Sequence, residues 1–275
     1  MNKTALDLYT GMLEITRAKF CNDFHDIKDV KIFWHNLTLL YFAKAVCQQL
    51  TSLKHSCSLY TLAQMSLIPD DLPSFEMQNK SLICGCVFFM DNSVYNINLA
   101  LLRECLLGID LCISQDGIAL KQGKVARDTT GSYYTPCKLA KAVVSKAFRN
   151  TECLDRSLKE KYAIRIADLS CGGGEFFNAA QEYLLDEQHI PYSVSATFFW
   201  GTDVDPIVML ITVGHLLSQA DYDDWQTISS HFHLGNPLVS TAAEGSLRVK
   251  HDMFALGRFY APEMGMNFSK KELPV

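Results

Sequence analysis

"IADLSCGGGEFFNAA", Ile166 to Ala180, decides the fold. An apolar run ends at an acid, a glycine cluster follows, and a helical pattern begins directly after it. Working outward, "AIRIADLS" reads as a buried strand and "GEFFNAAQEYLLDEQ" as a helix. Downstream, "ATFFWGTDVD" is a second strand, "DPIVMLITVGHLLSQA" a second helix and "ISSHFHLGNPL" a third strand. Upstream, Pro136 can open a helix that runs to about Phe148. Strands alternating with helices predict βαβ units and a parallel sheet.

The part before this pattern reads differently. "DVKIFWHNLTLLYFAKAVCQQLTSL" and "NINLALLRECLLGIDLCIS" carry apolar residues at helical spacing, with Asn96 or Asn98 as N-cap of the latter. Between them lies "IPDDLPSF", a Pro/Asp loop. The polar, basic stretch "KQGKVARDTTG" marks the change. We place the boundary there, giving a helical N-terminal domain over residues 1–127 and an α/β domain over 128–275.

Composition sets limits on both parts. The 275 residues are 48% hydrophobic and 20% charged, enough for a sizeable core. The net charge of −5 gives no global support for nucleic-acid contact, which normally needs a basic face. Ten scattered cysteines and an amphipathic, charged start, "MNKTALDLYTGMLEITRAKF", predict a cytoplasmic chain with buried thiols. Cys84 and Cys86 lack the second pair that a zinc knuckle needs. No apolar run approaches the roughly 18 residues of a membrane span, and no membrane partner is expected.

In an open parallel sheet, ligands bind at the carboxyl ends of the strands. Gly172 and Gly174 lie at such an end and allow close approach to backbone. A P-loop would continue Gly-Lys-Ser/Thr, whereas this loop continues Glu175-Phe176. A dinucleotide fingerprint needs a small residue where Phe177 stands. Glu175 would repel a pyrophosphate. A zwitterionic or cationic ligand without phosphate fits better, and S-adenosyl-L-methionine is one. Three glycines can also do no more than make a tight turn. Asp203, just past the second strand, adds a carboxylate placed to accept both ribose hydroxyls. Asp205 reads instead as the cap of the helix opening at Pro206. Phe198, Phe199 and Trp200 read as sheet core, and His231 and His233 as packing residues on one strand face.

"GSYYTP", "ADLSCGGGEFF", "GTDVDP" and "HLGNPL", in that order, resemble the adenine-specific (N6) DNA methyltransferases of restriction-modification systems over roughly Lys124 to Val239. The resemblance implies an incomplete doubly wound, Rossmann-like methyltransferase sheet behind a helical N-terminal domain. It implies S-adenosyl-L-methionine as cofactor and DNA as partner. Thr135 then bonds the methionine carboxylate, and Tyr133 or Tyr134 walls the pocket. Asp168 faces the methionine amine, Gly172 and Gly174 allow close approach, and Phe176 packs near the cofactor. Asp203 holds the ribose, and Asn236 accepts from the adenine amine where the family usually has Asp. Leu169 stands where the family usually has Pro.

The family's Asn/Asp-Pro-Pro-aromatic loop, which orients the target amine and stacks on the flipped base, is missing. The chain has no Pro-Pro dipeptide. Asn236-Pro237-Leu238 belongs to the third-strand motif. No catalytic residue is therefore assigned, and the chain alone is not expected to methylate DNA. Three explanations compete: a piece of a longer enzyme, one half of a split enzyme completed by another methyltransferase subunit, or a non-catalytic cofactor-binding module with a regulatory or interaction role. An RNA- or small-molecule methyltransferase on the same fold is a further class. In the family's sheet the first strand is central, so here its outer edge would lack a neighbour.

Overall fold

The structure, a computed structural model, describes residues 3–23, 27–52, 56–84, 98–107, 109–114, 117–122, 135–149 and 164–235. Among these it is mostly helical, with a small three-stranded parallel sheet.

Two long helices open the chain: α1 (Lys3–Asp23) and α2 (Ile27–Ser52). Tyr9 of α1 stacks on Trp34 of α2 with ring centroids 5.5 Å apart. Three short helices follow: α3 (Leu59–Gln64), α4 (Leu72–Gln78) and α5 (Lys80–Cys84). Ser58 caps α3 in a reciprocal capping box with Thr61. The expected Pro/Asp loop is only half loop. Asp71 is the N-cap of α4, and Pro73 sits in its first turn, where a missing N–H costs nothing. The Lys44–Glu76 ion pair, 2.6 Å, ties α2 to α4.

Helix α6 (Leu99–Leu106) is capped by Asn98, whose side chain accepts from the Leu101 N–H at 2.9 Å. The long helix expected through "GIDLCIS" stops there. Residues Ile109–Ser114 form β1, antiparallel to β2 (Gly117–Gln122). The local reason is legible afterwards: Gly108 is a poor helix residue, and Ile109, Leu111 and Ile113 alternate at the strand period.

Helix α7 (Cys137–Arg149) begins right after Pro136. Then come β3 (Ile166–Asp168), α8 (Glu175–Gln188), the single turn α9 (Tyr192–Ser195), β4 (Phe199–Asp203), α10 (Pro206–Gln219), α11 (Trp225–Ser230) and β5 (Phe232–Leu234). The third strand is shorter than expected because its first residues wind into α11. The order is β3-β4-β5, all parallel, with Asp168 opposite Gly201 and Asp203 opposite Leu234.

One face of this sheet is packed. Phe199 and Phe232 are buried against Phe177 of α8, with centroids 4.9 and 5.7 Å away. Helix α10 is buried nearly all round, because α2 covers the side that the sheet does not. A Cβ at Gly214 would lie 2.6 Å from Val46 of α2, so glycine there permits that close packing. Buried side chains from Leu8 to Leu234 consequently form a single main cluster. The expectation of buried thiols holds for Cys47 and Cys171, whereas Cys84 and Cys137, at helix ends, are exposed. Among the described residues no helix is long and apolar enough to cross a membrane.

Candidate functional site

The carboxyl ends of β3, β4 and β5 bring together the glycine loop, Asp168 and Asp203. The loop from Leu169 to Gly174 turns sharply because Gly172 and Gly174 have φ of +49° and +80°, a left-handed region that favours glycine. A Cβ at Gly174 would also come within 3.0 Å of Thr212 Cγ2 on α10. The Thr212 hydroxyl donates to the Gly172 carbonyl at 2.7 Å, anchoring the loop to α10. Beneath the loop, a Cβ at Gly201 would collide with the Phe232 ring at 2.6 Å and sit 3.1 Å from Cys171 Sγ. Gly201 and Thr212 were not singled out in the sequence. The available signals were a glycine inside an apolar strand and a buried hydroxyl in an otherwise apolar helix.

The loop's N–H groups are turned inward. Ser170 donates to Asp168 Oδ1 at 3.0 Å, Cys171 to the Thr202 carbonyl at 3.0 Å, and Gly172 to Asp203 Oδ2 at 2.8 Å. Gly174 donates to the Cys171 carbonyl at 2.8 Å. A phosphate cradle needs such groups free to face the ligand. Here four of them are already engaged, which argues against a nucleotide phosphate in this loop.

Asp203 is the hub. Its Oδ1 accepts the Asp205 N–H at 2.9 Å, its Oδ2 accepts that of Gly172, and its carbonyl accepts the Gly235 N–H at 2.8 Å. The Val204 N–H also bonds to this carboxylate, so of its roughly four acceptor sites about one stays open to an external donor. Burial pushes the carboxyl above its ordinary value, helped by the Asp205 charge and opposed by N–H bonds from Asp205, Gly172 and Val204. Cys171 is pushed up too, first by burial and then by the charges of Asp203 and Asp168. The thiol therefore stays neutral, and both carboxylates lie near it. Burial likewise raises Glu175 at the start of α8. The arrangement is anionic and accepting, suited to a ligand bearing hydroxyls and positive charge.

Asp205 caps α10 as expected: its Oδ1 accepts from Ile207 at 2.9 Å and Val208 at 3.3 Å. Phe176 is half-buried and packs against the main core. Thr135 is half-buried just ahead of α7, and among the described residues it makes no hydrogen bond to Asp168 or Asp203. Tyr133, Tyr134 and Asn236 lie outside the described residues.

No protein-family model, curated protein or solved structure matches the chain.

Two sequence readings need correction. Trp200 is not core: it is half-buried on the opposite pleat from Phe199. His231 stacks on it at 3.8 Å, with the Arg165 guanidinium 5.7 Å from the ring centre. Phe198 is buried, but in a separate small cluster with Ile164, Leu184 and Ile190. Among the described residues no group of three or more His, Cys, Asp or Glu side chains is placed to hold a metal.

Proposed function

We propose that the chain is the S-adenosyl-L-methionine-binding part of a site-specific DNA adenine-N6 methyltransferase. Asp203 would receive the ribose hydroxyls and Asp168 the methionine amine. Thr135 and Tyr134 would close over the methionine end, and Asn236 would accept from the adenine amine. The bound cofactor would supply an electrophilic methyl group. The Pro-Pro-aromatic loop that handles the target base is absent from these 275 residues, so DNA contact and catalysis would come from another segment or a complementing subunit.

The observation that carries this reading is the geometry of Asp203. It is a half-buried carboxylate that fixes the glycine loop through Gly172 at 2.8 Å and keeps about one of its roughly four acceptor sites open. The inward-turned N–H groups support a ligand without phosphate. A non-catalytic S-adenosylmethionine-binding module is the second reading, favoured by the main core that already links the helical and α/β parts.

Titration calorimetry with S-adenosylhomocysteine tests both. Saturable binding is expected, and Asp203→Ala should weaken it by about 1.5–3 kcal/mol, the range for a lost hydrogen bond to a charged group. No heat at millimolar ligand would overturn the cofactor assignment.

A further inference from the structure

We propose that Arg103, on α6 in the helical part of the chain, is a positioning residue for the site at the end of β4. Arg103 and Asp205 are 6% and 7% exposed. The Arg103 Nε–H donates to Asp205 Oδ2 at 2.9 Å, and Nη2 lies 2.9 Å from the same oxygen. The other oxygen, Oδ1, caps α10. The guanidinium and the helix thus divide one carboxylate between them.

That division reaches the site in one step. The backbone N–H of Asp205 holds Asp203 Oδ1, and Asp203 Oδ2 holds Gly172. Arg103 therefore sits two links from the carboxylate that anchors the glycine loop. The electrostatics point the same way. Asp205 is a negative charge two residues from Asp203 and raises its carboxyl. Without Arg103, Asp205 would be a buried charge that has lost its ion pair, a costly state that relaxes by protonation or by opening. Either response alters how Asp203 is held. The other titratable groups near these charges are His35, on which both Arg103 and Asp205 act, and Cys171, on which Asp203 and Asp168 act.

The placement of Asp203 stands on its own geometry. Its consequence for S-adenosylmethionine rests on the function proposed above. The test separates the two by a readout that needs no ligand. Amide hydrogen exchange and the titration of the Asp203 carboxyl are followed by NMR in the full chain, for wild type, Arg103→Met and the double variant Arg103→Met/Asp205→Asn. In Arg103→Met the Gly172 and Asp205 amides should exchange at least ~10-fold faster, with α2 amides unchanged and the Asp203 titration displaced from its wild-type position. The double variant removes both charges and keeps a good N-cap, so it should move both readouts back toward wild type. Unchanged Gly172 exchange and Asp203 titration in Arg103→Met would overturn the proposal. So would a uniform rise across the chain, which marks a purely structural role. If Arg103→Met does not fold, Arg103→Gln replaces it, since Gln removes the charge but can still donate to the Asp205 carboxylate; the same outcomes decide. S-adenosylhomocysteine affinity should fall about 10-fold in the single variant. Failure of wild type to bind sinks the proposed function and leaves the exchange result intact.

Discussion

The two faces of the three-stranded sheet are built from alternate residues of the same strands, yet they meet different surroundings. Phe199, Gly201, Phe232 and Leu234 point into the main core, against α8 and α10. Ala167 is exposed on the opposite pleat, and Trp200, Thr202 and His233 are half-buried there. The apolar run "AIRIADLS" read as buried on both faces, the mark of a doubly covered parallel sheet. Instead Ile166 is half-buried and Ala167 exposed. Among the described residues β3 also pairs on one side only. Periodicity thus located the strand but said nothing about how many layers surround it. The N-terminal helix α2 packs on α10.

The sharpest way to break this contrast is to remove one aromatic from each face. Phe177→Ala deletes the ring that meets both Phe199 and Phe232, and should cost about 3–5 kcal/mol in urea unfolding. Trp200→Ala removes a half-buried ring whose main described partners are His231 and Arg165, and should cost about 1 kcal/mol. Equal losses would mean that the second face is covered as fully as the first.

A smaller effect comes from protons. On the packed side, burial, followed by the Arg103 charge, lowers His35 from 6.5 to about 4. The folded chain then binds fewer protons than the unfolded one between about pH 4 and 6.5. Stability rises with pH through that window and is lost on acidification, by about 3 kcal/mol in all. Asp203 works in the opposite sense, since a raised carboxyl binds its proton more readily in the folded state. Melting curves from pH 4 to 7 should therefore show a net loss toward acid that His35→Phe reduces. An unchanged pH slope in that variant would remove His35 as the cause. On the open face, His231 is lowered as well, first by burial, although it is only half-buried.

Local pattern carried most of what could be read. The strand-helix alternation from α7 to β5, the Asn98 and Asp205 caps and the acids at the ends of β3 and β4 depend on neighbours within a few residues. What sequence reading missed depends on distant pairs. Gly201 is needed because of Phe232, Gly214 because of Val46, and the Asp205 cap is completed by Arg103, 102 positions away. The β1–β2 hairpin was hidden for a different reason: its apolar run continues that of α6, and short apolar runs fit a helix or a strand equally well.

The smallest expected effect is the most discriminating. Ala167 lies in the middle of β3, opposite Trp200 in the parallel register and facing outward. Leu169, just past the strand, is 60% exposed. A lysine at 167 can lay its stem along this surface and keep its charge in water. Ala167→Lys should therefore change the stability of the isolated chain by no more than about 0.5 kcal/mol, or about 2 °C in melting temperature. A much larger drop would show that some part of the chain covers this face in solution. A complementing methyltransferase subunit that lays a covering helix on this face would meet the new charge as it docks. Co-expression with a segment that contains a Pro-Pro-aromatic loop, followed by light scattering, should then give a complex with wild type and little or none with Ala167→Lys. A complex that forms equally well with both would place the partner elsewhere than on the open face of β3.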